Sequence, residues 1–215
     1  MPQSIHIPLW VDLIAVFVGA SQGASLAMTE ERHPLAPTGA LMLAAATGLG
    51  GAILRDLVLN LRPAAFGSNW YLGTVGVAFL TTWAIGHIVH DMRRLVAILD
   101  AATLGVYACA GALKAEDAGL SMLSELFVAT IAATGGSVVR DVLLARVPLI
   151  MVPGELYFVP AIASGASFLL LGLLPTRLGT RFLLASAIGF GLRMVAIWRG
   201  WQIGAIRSVW RRAKD

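Results

Sequence analysis

The sequence predicts an all-α integral membrane protein of seven transmembrane helices, six of them forming two inverted three-helix repeats and the seventh added at the C-terminus. Three observations lead there. Charged residues make up 13% of the 215-residue chain, against 58% hydrophobic, where a water-facing domain carries about a quarter. The apolar residues fall into seven stretches of roughly the ~20 residues that cross a bilayer as helix. A pattern of Gly, Arg, Asp and Pro also occurs twice, beginning in the second and fifth stretches.

The stretches cover about residues 9–28, 38–59, 70–90, 96–114, 121–144, 156–174 and 179–197. Their connections are short and gather the helix breakers and charges, as in Glu30-Glu31-Arg32-His33-Pro34, Arg62-Pro63 and Pro153-Gly154-Glu155. No long linker divides the chain, so 1–215 reads as a single transmembrane domain. Repeat one spans about 9–90, repeat two about 96–174, the extra helix about 179–197 and a basic tail 198–215. The first stretch carries Asp12 and has no basic segment before it, unlike a cleaved signal peptide. Cys109 is the single cysteine, which excludes an intramolecular disulfide.

The repeat is read from residues. Gly50-Gly51-Ala52-Ile53-Leu54-Arg55-Asp56 in stretch two matches Gly135-Gly136-Ser137-Val138-Val139-Arg140-Asp141 in stretch five, and the two continue to Pro63 and Pro148. Asp12 with Gly23 echoes Asp100 with Gly111, and Trp70-Tyr71-Leu72 echoes Leu156-Tyr157-Phe158. Three spans per repeat is an odd number, so the second copy enters the membrane upside down and is related to the first by a pseudo-two-fold axis in the membrane plane. Lys and Arg then set the orientation. Arg62, Lys114, Arg177 and Arg181 fall on one side, and Arg32, Arg93, Arg94, Arg146, Arg199 and the basic tail on the other. The positive-inside rule places the second side in the cytoplasm, with the N-terminus outside and the C-terminus inside. A net charge of +4 and a pI of about 9.8 are explained by this topology rather than by nucleic-acid binding.

Adjacent glycines in an apolar helix permit close packing, and they also permit a kink or an unwound turn. Paired at equivalent positions of an inverted repeat, Gly50-Gly51 and Gly135-Gly136 are expected to break helices two and five where they line a pathway. Arg55, Asp56, Arg140 and Asp141 are intramembrane charges, each costing on the order of 2.5–3.5 kcal/mol on insertion scales, and must face protein or water. They are candidates for pore lining or for buried ion pairs. Neighbours on a helix point about 100° apart, so the partners are sought elsewhere: Asp12 for Arg55 in one half of the membrane, Asp100 for Arg140 in the other. Helix-end solvation of Asp12 and Asp100 is the plainer alternative.

Other features carry less. His87 and His90 sit at a helix end beside Asp91, and no metal site is expected there. Gly19-x-x-x-Gly23 reads as a helix-packing motif. Trp198, Arg199, Trp201, Trp210, Arg211 and Arg212 have the composition of a membrane interface, and the tail reads as a frayed basic anchor on the anionic leaflet. Paired His or carboxylate metal motifs, a nucleophile elbow and an activated cysteine are all missing, which argues against an enzyme.

The doubled Gly-Gly-x-x-x-Arg-Asp…Pro pattern, with Asp100, Gly111 and Gly119-Leu120, resembles the prokaryotic branch of the trimeric intracellular cation (TRIC) channel family, over about 9–197. The resemblance implies seven transmembrane helices and a homotrimer in which each protomer holds its own hourglass pore, kinked at the glycines. It implies passive conduction of monovalent cations, chiefly K⁺, in a prokaryotic inner membrane. The implied ligands are the permeant K⁺ and bound membrane lipids, with no cofactor and no nucleic-acid partner. The motif positions that carry over are Gly50, Gly51, Arg55, Asp56, Gly135, Gly136, Arg140 and Asp141. The Lys-Glu-Val triplet of animal members is absent. Related bacterial proteins are described as small-solute transporters, and inverted repeats serve alternating access equally well, so a secondary transporter of a small solute such as an amino acid is the alternative.

Overall fold

In lipid every backbone N–H and C=O must be satisfied within the protein, which leaves helix as the solution for an apolar chain of this kind. The computed structural model describes residues 9–30, 34–86 and 92–203, and these form seven α-helices. They are α1 (Leu9–Met28), α2 (Pro37–Val58), α3 (Asn69–Gly86), α4 (Met92–Asp117), α5 (Met122–Leu143), α6 (Phe158–Gly172) and α7 (Leu178–Arg199). Short 3-10 turns follow α2 at Ala64–Phe66 and α5 at Leu149–Met151. A two-residue antiparallel pairing joins Gly154–Glu155 to Gln202–Ile203. Four helical segments are long and apolar enough to cross a membrane by length and composition: Pro37–Val58, Arg94–Asp117, Met122–Leu143 and Leu178–Arg199. α6, at 15 residues, is shorter than the stretch expected from the sequence.

The inverted repeat is visible in the packing. α1, α2 and α3 pack on one another, as do α4, α5 and α6, while α2 against α5 and α1 against α4 join the halves and α7 lies on α4 and α6. The two motifs end their helices in the same way. Leu61 donates its amide to the Asp56 carbonyl and Arg146 donates to the Asp141 carbonyl, each at 2.8 Å. The residue that turns the chain is left-handed in both, Asn60 at φ 54° and Ala145 at φ 52°. Pro63 and Pro148 then start the 3-10 turns, because proline cannot continue a helix.

The expected break at the glycine pairs is corrected. α2 and α5 run as unbroken α-helix through Gly50-Gly51 and Gly135-Gly136. The glycines serve instead to bring the two helices into backbone contact. A Cβ on Gly51 would run into the Ala132 carbonyl oxygen, and one on Gly136 into the Thr47 carbonyl oxygen. A Cβ on Gly50 would lie 3.2 Å from the Gly136 Cα, and one on Gly135 would lie 3.2 Å from the Gly51 Cα. Each pair is thus the socket for the other, about the pseudo-two-fold axis. A second seam joins α1 to α2, where a Cβ on Gly48 would lie 2.9 Å from the Ala20 amide and the Val16 carbonyl. Small residues at such contacts are the rule where no water drives helices together.

Of the tail, residues 198–203 are described, and they complete and close α7. α7 ends on Trp198 and Arg199, whose guanidinium lies 5.3 Å from the Trp198 ring centroid. Gly200 turns the chain with φ 62°, and the Trp201 carbonyl accepts from Leu156. Trp210, Arg211 and Arg212 lie outside the described residues, as do His87 and His90.

The seam makes a prediction. Gly51→Ala and Gly136→Ala should each lower thermal stability by about 1–3 kcal/mol through overpacking. Gly73→Ala and Gly76→Ala, with nothing within 4 Å of the added methyl, should not. Melting of the four variants in one detergent checks this, and equal losses at all four would contradict it.

Candidate functional site

Each half of the bundle holds a buried polar cluster built on the repeated residues. In the first half, Tyr71 of α3 donates its hydroxyl to Asp12 of α1 at 3.0 Å. In the second, Tyr157 donates to Asp100 of α4, also at 3.0 Å. The tyrosines are equivalent in the repeat, and so are the aspartates. All four side chains are buried.

The Arg-Asp pairs follow the same symmetry. Arg55 Nε donates to Asp56 Oδ1 at 2.8 Å and Arg140 Nε to Asp141 Oδ1 at 2.9 Å. The second carboxylate oxygen of each reaches across the turn, taking the Ala64 amide at 2.9 Å and the Leu149 amide at 3.1 Å. Each aspartate therefore ties the end of its helix to the first residue of the following 3-10 turn. One expectation is corrected by this geometry: adjacent Arg and Asp do pair. Among the described residues no direct ion pair joins Asp12 to Arg55 or Asp100 to Arg140; Asp12 is met by Tyr71, and Asp100 by Tyr157, Gln22 and Arg193.

Beyond the shared frame the halves differ. Asp56 takes a further ion pair from Lys114 of α4 at 3.0 Å. Arg55 is fully buried, and its two terminal nitrogens find no hydrogen-bond partner among the described residues. Tyr107, also buried, donates to the Gly48 carbonyl on α2. In the other half Asp100 is a hub. Its Oδ1 accepts from Gln22 Nε2 at 2.6 Å as well as from Tyr157, and its Oδ2 faces Arg193 Nε of α7 at 3.4 Å. Arg193 also donates to the Leu156 carbonyl and lies 4.8 Å from the Tyr157 ring centroid. Arg146 pairs with Glu30. A cavity of about 230 Å³ opens beside this cluster, reaching Asp100, Arg140, Asp141, Arg146 and Arg193. Among the described residues no group of three His, Cys, Asp or Glu could hold a metal ion.

The structure thus brings Arg55 to Asp56 and Arg140 to Asp141, keeps Asp12 and Asp100 in separate polar clusters, and puts the four glycines at the contact between the halves. Gln22, Tyr107, Lys114 and Arg193 join the clusters without having been singled out. Arg193 could have been found, because a charge deep in an apolar stretch needs a partner. Lys114 reads as a helix-end residue until α4 is packed beside α2.

Comparison with known proteins places the chain. The family model described as glycine transporter matches residues 9–87 and 97–172. The chain belongs to that family. A UPF0126 membrane protein of Deinococcus radiodurans is 33% identical over 158 residues, covering 73% of this chain and 72% of the relative. The UPF0126 inner membrane protein YadS of Escherichia coli is 30% identical over 160 residues, covering 73% and 74%. The fold is that of TRIC channels. A structure described as the basis for conductance through TRIC cation channels superposes with a TM-score of 0.81 at 26% identity, over 92% of this chain and 96% of that one. The TRIC trimeric intracellular cation channel orthologue from Rhodobacter sphaeroides gives 0.80 at 27% identity, over 89% and 97%. The protein is an integral membrane protein of this family and fold.

The clamps order the aspartates by cost. Asp56→Asn and Asp141→Asn each leave an arginine facing a neutral amide, and should destabilise the protein by about 3–5 kcal/mol. Asp12→Asn should cost less, since the amide oxygen still accepts from Tyr71, the one partner of Asp12 among the described residues. Thermal unfolding of the three variants tests the order; Asp12→Asn as the most damaging would reverse the assignment.

Proposed function

We propose that this protein is a channel for monovalent cations, chiefly K⁺, with a conduction path inside each protomer of a homotrimer. The observation that carries the reading is the likeness to TRIC cation channels, at 26–27% identity over nine-tenths of the chain. The chemistry agrees with it. Each half of the bundle carries polar and charged side chains in its interior, Lys114, Asp56, Asp12, Tyr71 and Tyr107 in one and Asp100 and Arg193 in the other. A single protomer therefore contains the polar groups that an ion path needs. The glycine seam of α2 and α5 is the path's narrowest point in this reading, and Arg55, Asp56, Arg140 and Asp141 flank it. Large apolar side chains such as Met42, Leu123, Phe127 and Trp83 face outward, where lipid or further copies of the chain cover them. In the membrane the N-terminus lies outside and the basic C-terminal tail anchors on the cytoplasmic leaflet of a prokaryotic inner membrane. No enzyme chemistry, cofactor or nucleic acid enters this reading.

A second reading, a secondary transporter of a small solute such as an amino acid, is favoured by the family model's description and by a cavity at one end of the bundle.

Recording from the purified protein in K⁺-containing bilayers separates them. The channel reading expects discrete unitary steps, and it expects Arg55→Gln to enlarge them, since that change removes a positive charge beside the path. Saturable solute uptake without unitary steps would favour the transporter.

A further inference from the structure

The cavity at the end of the bundle that holds Asp100 has a hydrogen-bonding character its charge count hides. Five ionisable side chains line it: Asp100, Arg140, Asp141, Arg146 and Arg193. Each carboxylate oxygen already has at least one partner. Asp100 Oδ1 takes Gln22 and Tyr157, and its Oδ2 faces Arg193. Asp141 Oδ1 takes Arg140, and its Oδ2 takes the Leu149 amide. The guanidiniums of Arg140 and Arg146 are not used up in this way. Each arginine has five N–H donors. Arg140, nine-tenths buried or more, spends its bonds on one oxygen of Asp141 through Nε and one terminal nitrogen. Arg146 spends one terminal nitrogen on Glu30 and leaves 40% of its side chain exposed at the rim. Towards the cavity the wall therefore offers donors and few acceptors. The rest of the lining is Gln22 and an aliphatic wall of Leu26, Val96, Ala97, Val147 and Leu149.

We propose that this cavity is a binding site for a small organic monoanion, a carboxylate held by Arg140 and Arg146 with its short apolar body against the aliphatic wall. The planar guanidinium fork matches a carboxylate through paired N–H donors, and about 230 Å³ suits a ligand of a few heavy atoms. A zwitterion fits less well, because its ammonium group would be set among the guanidiniums of Arg140, Arg146 and Arg193. The site does not depend on whether the protein is a channel or a transporter. Under the channel reading it lies at one mouth of the path, where a bound anion offsets the arginine charges that oppose cations.

The test is calorimetric titration of sodium acetate into the purified full-length protein in detergent, with chloride held constant. Wild type should bind acetate saturably. Arg146→Gln, at the exposed rim, should weaken binding by about ten-fold or more, the worth of one charge-assisted hydrogen bond; because Arg146 also pairs with the buried Glu30, its folding is checked by melting and gel filtration as well. Arg140→Gln, whose folding is checked by its melting and gel-filtration profile, should abolish binding. Glycine at the same concentrations should compete poorly. Absence of saturable acetate binding, or binding unchanged in Arg146→Gln, overturns the proposal. Glycine binding as tightly as acetate overturns the monoanion assignment in favour of a zwitterion site. Inorganic phosphate binding ten-fold tighter than acetate overturns the carboxylate assignment in favour of a phosphate site.

Discussion

The structure depends on the contact between α2 and α5. Two glycine pairs face each other there so closely that a methyl group on Gly51 or Gly136 would enter a carbonyl oxygen of the opposite helix. Helices in a membrane gain little from burying apolar surface against each other, since lipid is equally apolar. Close backbone approach, with dispersion contacts along the whole seam, takes its place. Because α2 belongs to one repeat and α5 to the other, this contact fixes the relation of the halves. Every polar group then takes its depth from it.

The charge network reads as a consequence. Each motif arginine and aspartate lies one helical turn beyond its glycine pair, so the two pairs are carried to opposite sides of the seam. The aspartates close the helix ends onto the following 3-10 turns, and the arginines are held against them. What breaks the symmetry comes from α4 and α7. Lys114 joins Asp56 at one end, and Arg193 joins Asp100 at the other. α7 is also fastened near its start, where Arg181 pairs with Glu116 at 2.6 Å and lies 3.7 Å from the Phe168 ring centroid. The helix outside the repeat is thus bound to repeat two at both ends, and it gives Asp100 an ion-pair partner of a kind not seen on Asp12 among the described residues.

The sequence carried the repeat, its inversion and the helix count plainly, because apolar length and a doubled motif are local signals. It carried the positions of the buried charges as well. The state of the glycines was not legible: Gly-Gly weakens a helix and also lets one pack closely, and only the partner helix decides between these outcomes. Pairing was misread for a related reason. The 100° separation of neighbours describes Cβ directions, whereas Arg55 and Arg140 have long side chains that bend back to the adjacent carboxylate. Tyr71 and Tyr157 were visible as repeated residues, yet nothing local marks a tyrosine as the partner of an aspartate on another helix. Lys114 and Gln22 acquire their roles only once α4 lies against α1 and α2.

Amide hydrogen exchange across the glycine pairs tests the central claim, that unbroken helices meet at this seam, most directly. If both helices continue through it, the amides of residues 50–54 and 135–139 keep their intrahelical bonds and exchange as slowly as those one turn away in the same helix. Fast exchange confined to either glycine pair, with slow exchange on both sides, would show an unwound turn there and contradict the packing described for α2 and α5.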